Sequence, residues 1–318
     1  MSVLDILAKP LAHFGIPTGK LGNVVFLPGI LGTDLADDEN RELWIFPPRL
    51  KELLLSSDGK SEDNSKRVVH PTAPNFPHAA MLHVLNLSWN VLSFGYDWRK
   101  DIRESALKLD VAVRQRFGNE AFHIVAHSMG GLVARVLRAN SPDIQRGGKL
   151  VMLCTPNHGS YLALHALTLG VAAQALFGLF RAPVAPADAL AAAQTWPGLY
   201  QLVPSPVKDP AIQGFYSAPP PGLSRAHVDD ARALHEFLAK VPSHDDFVYI
   251  GGANLPTVDG MKFLPTTTDG DGVVSHRLGF LSGVRTFTLP GGHVDLLSNP
   301  FVLASISPLL HGDIQGLL

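Results

Sequence analysis

The stretch HIVAHSMGGLVARVL, from His123 to Leu137, passes directly from an apolar alternation into a helical pattern. This change of period predicts a strand that turns sharply into a helix. Ser128 lies at the turn, and the residues two positions before and after it are small, Ala126 and Gly130. A nucleophilic serine needs this arrangement, because larger side chains would collide there. The usual glycine is replaced by alanine on one side, and the alternative is that Ser128 only caps the helix.

Strands and helices alternate along most of the chain around this turn. A buried strand is predicted at 24–27, and an amphipathic helix is predicted between Asp101, as its cap, and Gly118, as its end. Further strands are predicted in WNVLSFGYDWR (89–99), KLVMLCTP (149–156), DFVYIGG (246–252) and VRTFTLPGGH (284–293), with a last helix at 300–310. Such alternation is typical of a parallel sheet covered by helices.

The alternation stops between about residues 160 and 245, where the chain is rich in Ala, Leu and Pro. We therefore predict an α/β fold with a mostly parallel central sheet. Its core would comprise residues 1–159 and 246–318, and residues 160–245 would form a helical cap inserted into it. Residues 33–80, with polar stretches around ELWIFPPRLKELLL, are expected to form a surface excursion rather than core.

Composition excludes several classes of protein. The 318 residues carry a formal charge of −2 with no basic cluster, so a nucleic-acid partner is not expected. The single cysteine, Cys154, permits no intrachain disulfide, and the first 15 residues do not resemble a signal peptide, so a cytoplasmic location is expected. Neither a metal nor a cofactor is expected, because no H-E-x-x-H or similar ligand spacing occurs.

The uncharged segment YLALHALTLGVAAQALFGLF, residues 161–180, is about long enough to cross a bilayer as one helix. A span at this place would separate Ser128 from any partners later in the chain. If those partners form one site with Ser128, the segment is a buried helix or a lid helix. We therefore expect no transmembrane span.

The partners of a nucleophilic serine on such a turn follow in the order acid, then histidine, each after a later strand. His293 follows the predicted strand RTFTLP and a glycine pair, whereas His276 lies too close to the candidate acids and His311 lies within the last helix. Asp271, in TTTDGDGVV, is the preferred acid and Asp269 the second choice. An ordinary Asx turn is the alternative explanation of this loop. The oxyanion would be bound by the backbone N–H groups of Met129, directly after the serine, and of Ile30.

Seven motifs in order resemble the lecithin:cholesterol acyltransferase-like α/β hydrolases. They are VVFLPGILGTDL (24–35), YDWR (96–99), AHSMGG (126–131), TPNHGS (155–160), WPGLYQLVPS (196–205), DGDGVV (269–274) and GGH (291–293). The resemblance covers most of the chain and implies an α/β-hydrolase fold with the triad Ser128, Asp271 and His293. It also implies a lid near the acyl site, with Leu31 and Trp44 as substrate contacts. Val273 stands where threonine is usual, and the excursions are short for a long-lipid acyltransferase.

These observations predict a serine hydrolase of acyl-chain esters, of the lipase, phospholipase or esterase kind. The alternatives are an acyltransferase that delivers the same acyl group to a lipid alcohol, and a hydrolase fold kept for binding alone. The expected partners are a small-molecule or lipid ester and, transiently, a membrane surface. The sequence leaves the oligomeric state and the acyl-chain length open.

Overall fold

A computed structural model describes residues 20–44, 48–60, 62, 68–144, 148–243 and 245–312. In these residues the strands are β1 (Asn23–Leu27), β2 (Thr33–Asp37), β3 (Glu42–Trp44), β4 (Val69–Pro74), β5 (Asn90–Ser93), β6 (Phe122–His127), β7 (Leu150–Leu153), β8 (Phe247–Ala253), β9 (Thr257–Val258), β10 (Pro265–Thr267) and β11 (Arg285–Pro290). The α-helices are α1 (Ala79–Ser88), α2 (Ile102–Phe117), α3 (Met129–Asn140), α4 (Tyr161–Thr168), α5 (Gly170–Gly178), α6 (Pro186–Ala193), α7 (Pro197–Tyr200), α8 (Gln213–Ser217), α9 (Arg225–Leu238), α10 (His276–Gly279) and α11 (Pro300–His311).

The central sheet has six strands in the order β11-β8-β7-β6-β1-β5. All neighbouring strands in it run parallel. In β1, Val24 and Phe26 belong to one buried cluster, while Val25 and Leu27 belong to the other, as expected for alternation across a sheet that is covered on both faces. Helices α1 and α11 pack on the face of the sheet that carries Val24 and Phe26. Helices α2 and α3 pack on the opposite face, which carries Val25 and Leu27. The predicted parallel sheet flanked by helices is confirmed.

Helix α2 forms where its sequence pattern predicts a helix. The Asp101 carboxylate accepts the backbone N–H of Arg103 at 2.7 Å and so caps the first turn. Gly118, with φ +60°, ends the helix in a conformation that favours glycine. The apolar residues at positions 102, 106, 109, 113 and 117 are all buried, as predicted.

Between β7 and β8 the described residues form helices and contain no strand, as the composition predicts. The apolar segment 161–180 is divided between α4 and α5, because the backbone at Leu169 is extended, with φ −133° and ψ 121°. Each helix has fewer than ten residues. Among the described residues, none of the helices has the length and apolar character needed to cross a membrane.

The expectation that residues 33–80 lie outside the core was wrong for their apolar part. Strands β3, β2 and β4 form a second, antiparallel sheet, and Leu43, Trp44 and Leu53 are at most 1% exposed. Trp44 packs edge-on against Trp98 and Phe177, which lie in quite different parts of the chain. Residues 45–47, 61 and 63–67 of this segment, and the N-terminal 15 residues considered as a signal peptide, lie outside the described residues.

Candidate active site

The three predicted triad residues lie beyond the carboxyl ends of the central strands. Ser128 directly follows β6, His293 follows β11 after two glycines, and Asp271 follows β10 in the connection between β8 and β11. Because all six strands are parallel, these ends meet at one edge of the sheet. Three segments that are distant in sequence are therefore brought together there.

The turn at Ser128 is tight. Its backbone has φ +53°, a region that non-glycine residues rarely adopt, and helix α3 begins at the next residue. A Cβ added at Gly130 would lie 2.6 Å from the carbonyl oxygen of Pro28, so only glycine fits there. The Ser128 side chain makes no capping hydrogen bond to α3, which argues against the interpretation of this residue as a simple cap.

The side chains of Ser128, His293 and Asp271 form one hydrogen-bonded chain. Ser128 Oγ lies 2.8 Å from His293 Nε2, and His293 Nδ1 lies 2.8 Å from Asp271 Oδ2. Asp271 Oδ1 accepts the backbone N–H groups of Val273 at 2.9 Å and Val274 at 2.7 Å. An ionised carboxylate only accepts, so Nδ1 carries the proton and Nε2 is free to accept from the serine hydroxyl.

Burial would raise the pKa of Asp271, which is only 3% exposed. The charge and hydrogen bond of His293, together with the two backbone donors, outweigh that effect and hold the pKa below its usual value. The carboxylate is therefore ionised at neutral pH. It is placed where it would stabilise a positive charge on the imidazole of His293.

The rival candidates lie elsewhere. Asp269 is exposed, and its backbone N–H is bonded to the hydroxyl of Thr267. His276 Nε2 is bonded to the carbonyl oxygen of Gly252, and His311 ends α11 with an exposed side chain. The geometry thus brings the preferred acid and histidine to Ser128 and leaves the alternatives outside.

An apolar cavity opens at Ser128. Its enclosed volume is about 20 Å³, and about 420 Å³ when the space open to solvent is counted. Besides Ser128, His127 and His293, its lining residues are Ile30, Pro156, Ser160, Leu162, Ala163, Leu176, Leu179, Phe180, Leu199, Leu202 and Val273. Ile30 therefore lies at the cavity, and Met129 is the first residue of α3, whose N–H has no acceptor within the helix.

Leu31 and Trp44 are not among the residues that line this cavity. The Trp44 indole N–H donates to the carbonyl oxygen of Leu31 at 2.8 Å, and both side chains are buried in the core. Their location favours a structural role, because burial behind other side chains keeps them from direct contact with a substrate. Their contact with substrate stays a prediction from the resemblance.

Two neighbours of the site were not singled out from the sequence. His127 Nε2 lies 3.0 Å from the backbone oxygen of His293, and Cys154 is fully buried directly after β7. Burial and the Asp271 carboxylate raise the pKa of the Cys154 thiol well above its usual value. His127 stands beside the candidate serine in the sequence, but nothing local indicates the distant carbonyl it contacts.

Among the described residues, one group has the spacing of metal ligands: atoms of Cys154, Asp271 and His293 lie within 4.8 Å of one another. Two of these side chains are already joined by the 2.8 Å hydrogen bond between Asp271 and His293. A metal would also require a thiolate, which the raised pKa of Cys154 disfavours. The donor set therefore fits a hydrogen-bonded triad better than a metal centre.

Comparisons with known proteins agree with this architecture. The model of the alpha/beta hydrolase family matches residues 24–306. Over 175 residues the chain is 27% identical to the uncharacterized protein YJR098C of Saccharomyces cerevisiae, an alignment that covers 46% of this chain and 26% of the yeast protein. The chain thus spans about a quarter of that relative's length.

Two solved structures share the fold at low sequence identity. The Tle4-Tli4 complex matches with a TM-score of 0.56 and 14% identity, covering 91% of this chain and 99% of that chain. The mature lipase BlEst2 of Bacillus licheniformis matches with a TM-score of 0.52 and 14% identity, covering 93% of this chain and 96% of the lipase. At such identity these likenesses show the fold alone.

Proposed function

The chain belongs to the alpha/beta hydrolase family, and from that premise we propose that it hydrolyses carboxylic esters through Ser128, His293 and Asp271. The single observation that carries the proposal is the chain of two 2.8 Å contacts from Ser128 Oγ through both ring nitrogens of His293 to Asp271. A serine, a base and an orienting acid in this geometry form an activated nucleophile. The lipase BlEst2, which shares the fold, is consistent with this class of reaction.

In the proposed reaction, Ser128 Oγ attacks the ester carbonyl carbon while His293 Nε2 takes the hydroxyl proton. The carbon–oxygen bond to the alcohol then breaks, and the alcohol leaves with that proton. Water, deprotonated by His293, attacks the acyl-enzyme, releases the acid and restores the serine. Asp271 holds the proton on His293 Nδ1 throughout and stabilises the imidazolium that forms twice in each cycle.

The negative charge on the carbonyl oxygen needs donors that are already oriented. We assign this role to the backbone N–H groups of Met129 and Ile30. Met129 begins α3, so the positive end of the helix dipole lies at the same place. Ile30 lies at the cavity, and Gly29 before it is so close to Ser128 that an added Cβ would be 2.8 Å from the serine Cβ.

The cavity favours an acyl chain as the substrate part that it holds. Leu162, Leu176, Leu179 and Phe180, from the proposed cap at 160–245, are among its lining residues, none of which is Asp, Glu, Lys or Arg. Binding against an apolar wall becomes more favourable with each methylene group that is buried, whereas burial of a charged head group there would be unfavourable. We therefore propose an acyl-chain ester whose apolar part enters under the cap. Within the family we place the chain with the lecithin:cholesterol acyltransferase-like enzymes, on the motifs that resemble them.

A fluorophosphonate probe tests the nucleophile. We expect the wild-type protein to be labelled and Ser128→Ala not to be labelled. Ser305→Ala is the matched control, because Ser305 is a buried serine whose hydroxyl donates to the carbonyl of Phe301 in its own helix. Labelling that survives Ser128→Ala would contradict the proposal.

A panel of esters with graded acyl length, including a phospholipid, tests the substrate class. Transfer to an alcohol uses the same acyl-enzyme, so each ester is assayed with and without a lipid alcohol. Free acid as the main product in both arms supports hydrolysis. New ester as the main product would show that the chain is a transferase.

A further inference from the structure

His127 is the residue directly before the proposed nucleophile, and it is 1% exposed. Its Nε2 lies 3.0 Å from the backbone carbonyl oxygen of His293, 166 residues further along the chain. Because a carbonyl only accepts, Nε2 must carry the proton and donate it. The segment with the nucleophile is thereby tied to the segment with the base.

The main chain of His293 is held on both sides. Its N–H donates to the backbone oxygen of Asp271 at 2.9 Å, and its carbonyl oxygen accepts from His127. The two residues before it are Gly291 and Gly292, and Gly291 has φ +151°. Glycines restrict the backbone least, so contacts rather than the local sequence must fix the main chain here. Gly291 N–H donates to the oxygen of Ala253 at 3.3 Å, and the two hydrogen bonds of His293 hold the main chain at the base itself.

We propose that His127 is a positioning residue for the triad: it holds the main chain of His293 so that Nε2 of that imidazole faces Ser128 Oγ. This inference rests on the proposed function, since it concerns the same reaction. His127 would thus support the triad of Ser128, His293 and Asp271, and it would act only through the backbone carbonyl of His293.

The surroundings of His127 suit a neutral donor. Burial lowers the pKa of His127 well below its usual value, and the neighbouring imidazoles of His293 and His78 lower it further. The ring centroids of His127 and His293 are 5.0 Å apart. A second imidazolium at that distance would oppose the positive charge that His293 acquires during the reaction, whereas a neutral ring can donate its hydrogen bond without that cost.

Two substitutions separate the hydrogen bond from the packing. His127→Phe keeps a planar ring of similar size but has no donor, whereas His127→Gln is smaller but places an amide N–H near the position of Nε2. We expect His127→Phe to lower kcat and the fluorophosphonate labelling rate by about tenfold to a hundredfold, with KM changed little, because misplacement by about 1 Å can cost about a hundredfold. We expect His127→Gln to recover most of that loss.

His235→Phe is the matched control. His235 is also a buried histidine with Nε2 bonded to a backbone oxygen, but that oxygen belongs to Val203, at 2.7 Å, and not to His293. Its substitution should lower the melting temperature without a comparable fall in the labelling rate of the folded protein. If His127→Phe does not fold, His127→Asn replaces it, since Asn is one methylene shorter than Gln and does not reach the carbonyl.

The outcomes are distinguishable. If His127→Phe, or the substitute His127→Asn, is labelled at the wild-type rate, this inference is overturned and the proposed function is left intact. The inference is also overturned if His127→Gln and His127→Phe both fold and are labelled equally slowly. It is overturned as well if His235→Phe is labelled as slowly as His127→Phe. An unlabelled wild-type protein overturns the proposed function and this inference with it.

Discussion

Replacement of Asp271 by asparagine is predicted to invert the proton positions on His293. Asp271 Oδ1 accepts two backbone N–H groups, from Val273 and Val274, and Oδ2 accepts from His293 Nδ1. In Asp271→Asn the amide oxygen must take the first place, because an NH₂ group there would face two donors. The NH₂ group therefore faces His293 Nδ1, which has to accept instead of donate.

The magnitude follows from that inversion. A neutral His293 that accepts at Nδ1 carries its proton on Nε2, which lies 2.8 Å from Ser128 Oγ. It can no longer take the serine proton. The loss of the correct tautomer in a serine–histidine–acid triad costs about 10⁴-fold in kcat, equivalent to about 5 kcal/mol of transition-state stabilisation.

The assay is steady-state hydrolysis of a p-nitrophenyl ester between pH 6 and 9, together with the rate of fluorophosphonate labelling. Asp269→Asn is the matched control: it makes the same chemical change two residues away on an exposed side chain, and its activity should be unchanged. The melting temperature checks that both variants fold. An Asp271→Asn variant within tenfold of the wild-type kcat, or a larger loss in Asp269→Asn, would refute the assignment of the acid.

Three other substitutions have expected outcomes. Gly29→Ala places a Cβ 2.8 Å from Ser128 Cβ and should lower kcat about a hundredfold, whereas Gly214→Ala, with nothing within 4 Å, should leave it unchanged. Burial raises the pKa of Asp34 from 3.8 to about 6; the folded state therefore binds this proton more tightly than the unfolded state, and stability falls as pH rises between these values. Asp34→Asn removes that loss of stability, so the melting temperature of the variant should exceed the wild-type value by more at pH 8 than at pH 4. An equal difference at the two pH values would contradict the raised pKa of Asp34. Leu176→Trp, which fills part of the cavity, should lower kcat/KM for a long-chain ester about tenfold by displacing about two methylenes at ~0.8 kcal/mol each, with little change for an acetyl ester.

The sequence predicts the central sheet because short apolar runs alternate with helical patterns along most of the chain. Strand β6 and helix α3 meet at Ser128, and β11 ends before the glycine pair that precedes His293. Once the strands are parallel, Ser128 and His293, which follow β6 and β11, lie at one edge of the sheet. Asp271 lies in the long connection between β8 and β11, and its choice rested also on the chain order serine, acid, histidine and on the resemblance.

The antiparallel sheet of β2, β3 and β4 has no such local signal. Strand β3 has three residues, β4 contains Pro71 and Pro74, and the pairing of β2 with each of its neighbours is irregular. Short strands with prolines resemble loops in a sequence. The burial of Trp44 depends on Trp98 and Phe177, from distant segments, so no window of the sequence could predict it.

Four of the six described non-glycine residues with positive φ follow strands of the central sheet, and three of these four follow neighbouring strands beside the proposed nucleophile. Leu31, Ser128 and Cys154 have φ of 61°, 53° and 53°, and they follow β1, β6 and β7, which are adjacent in the sheet. A non-glycine residue in this region costs of order 1 kcal/mol and persists only where its surroundings force it. Three such residues beside one another indicate that the sheet edge determines the backbone of the site. At Ser128, where glycine would relieve the strain, only a side chain can carry the hydroxyl to His293, so the strain is retained as a condition of the proposed reaction.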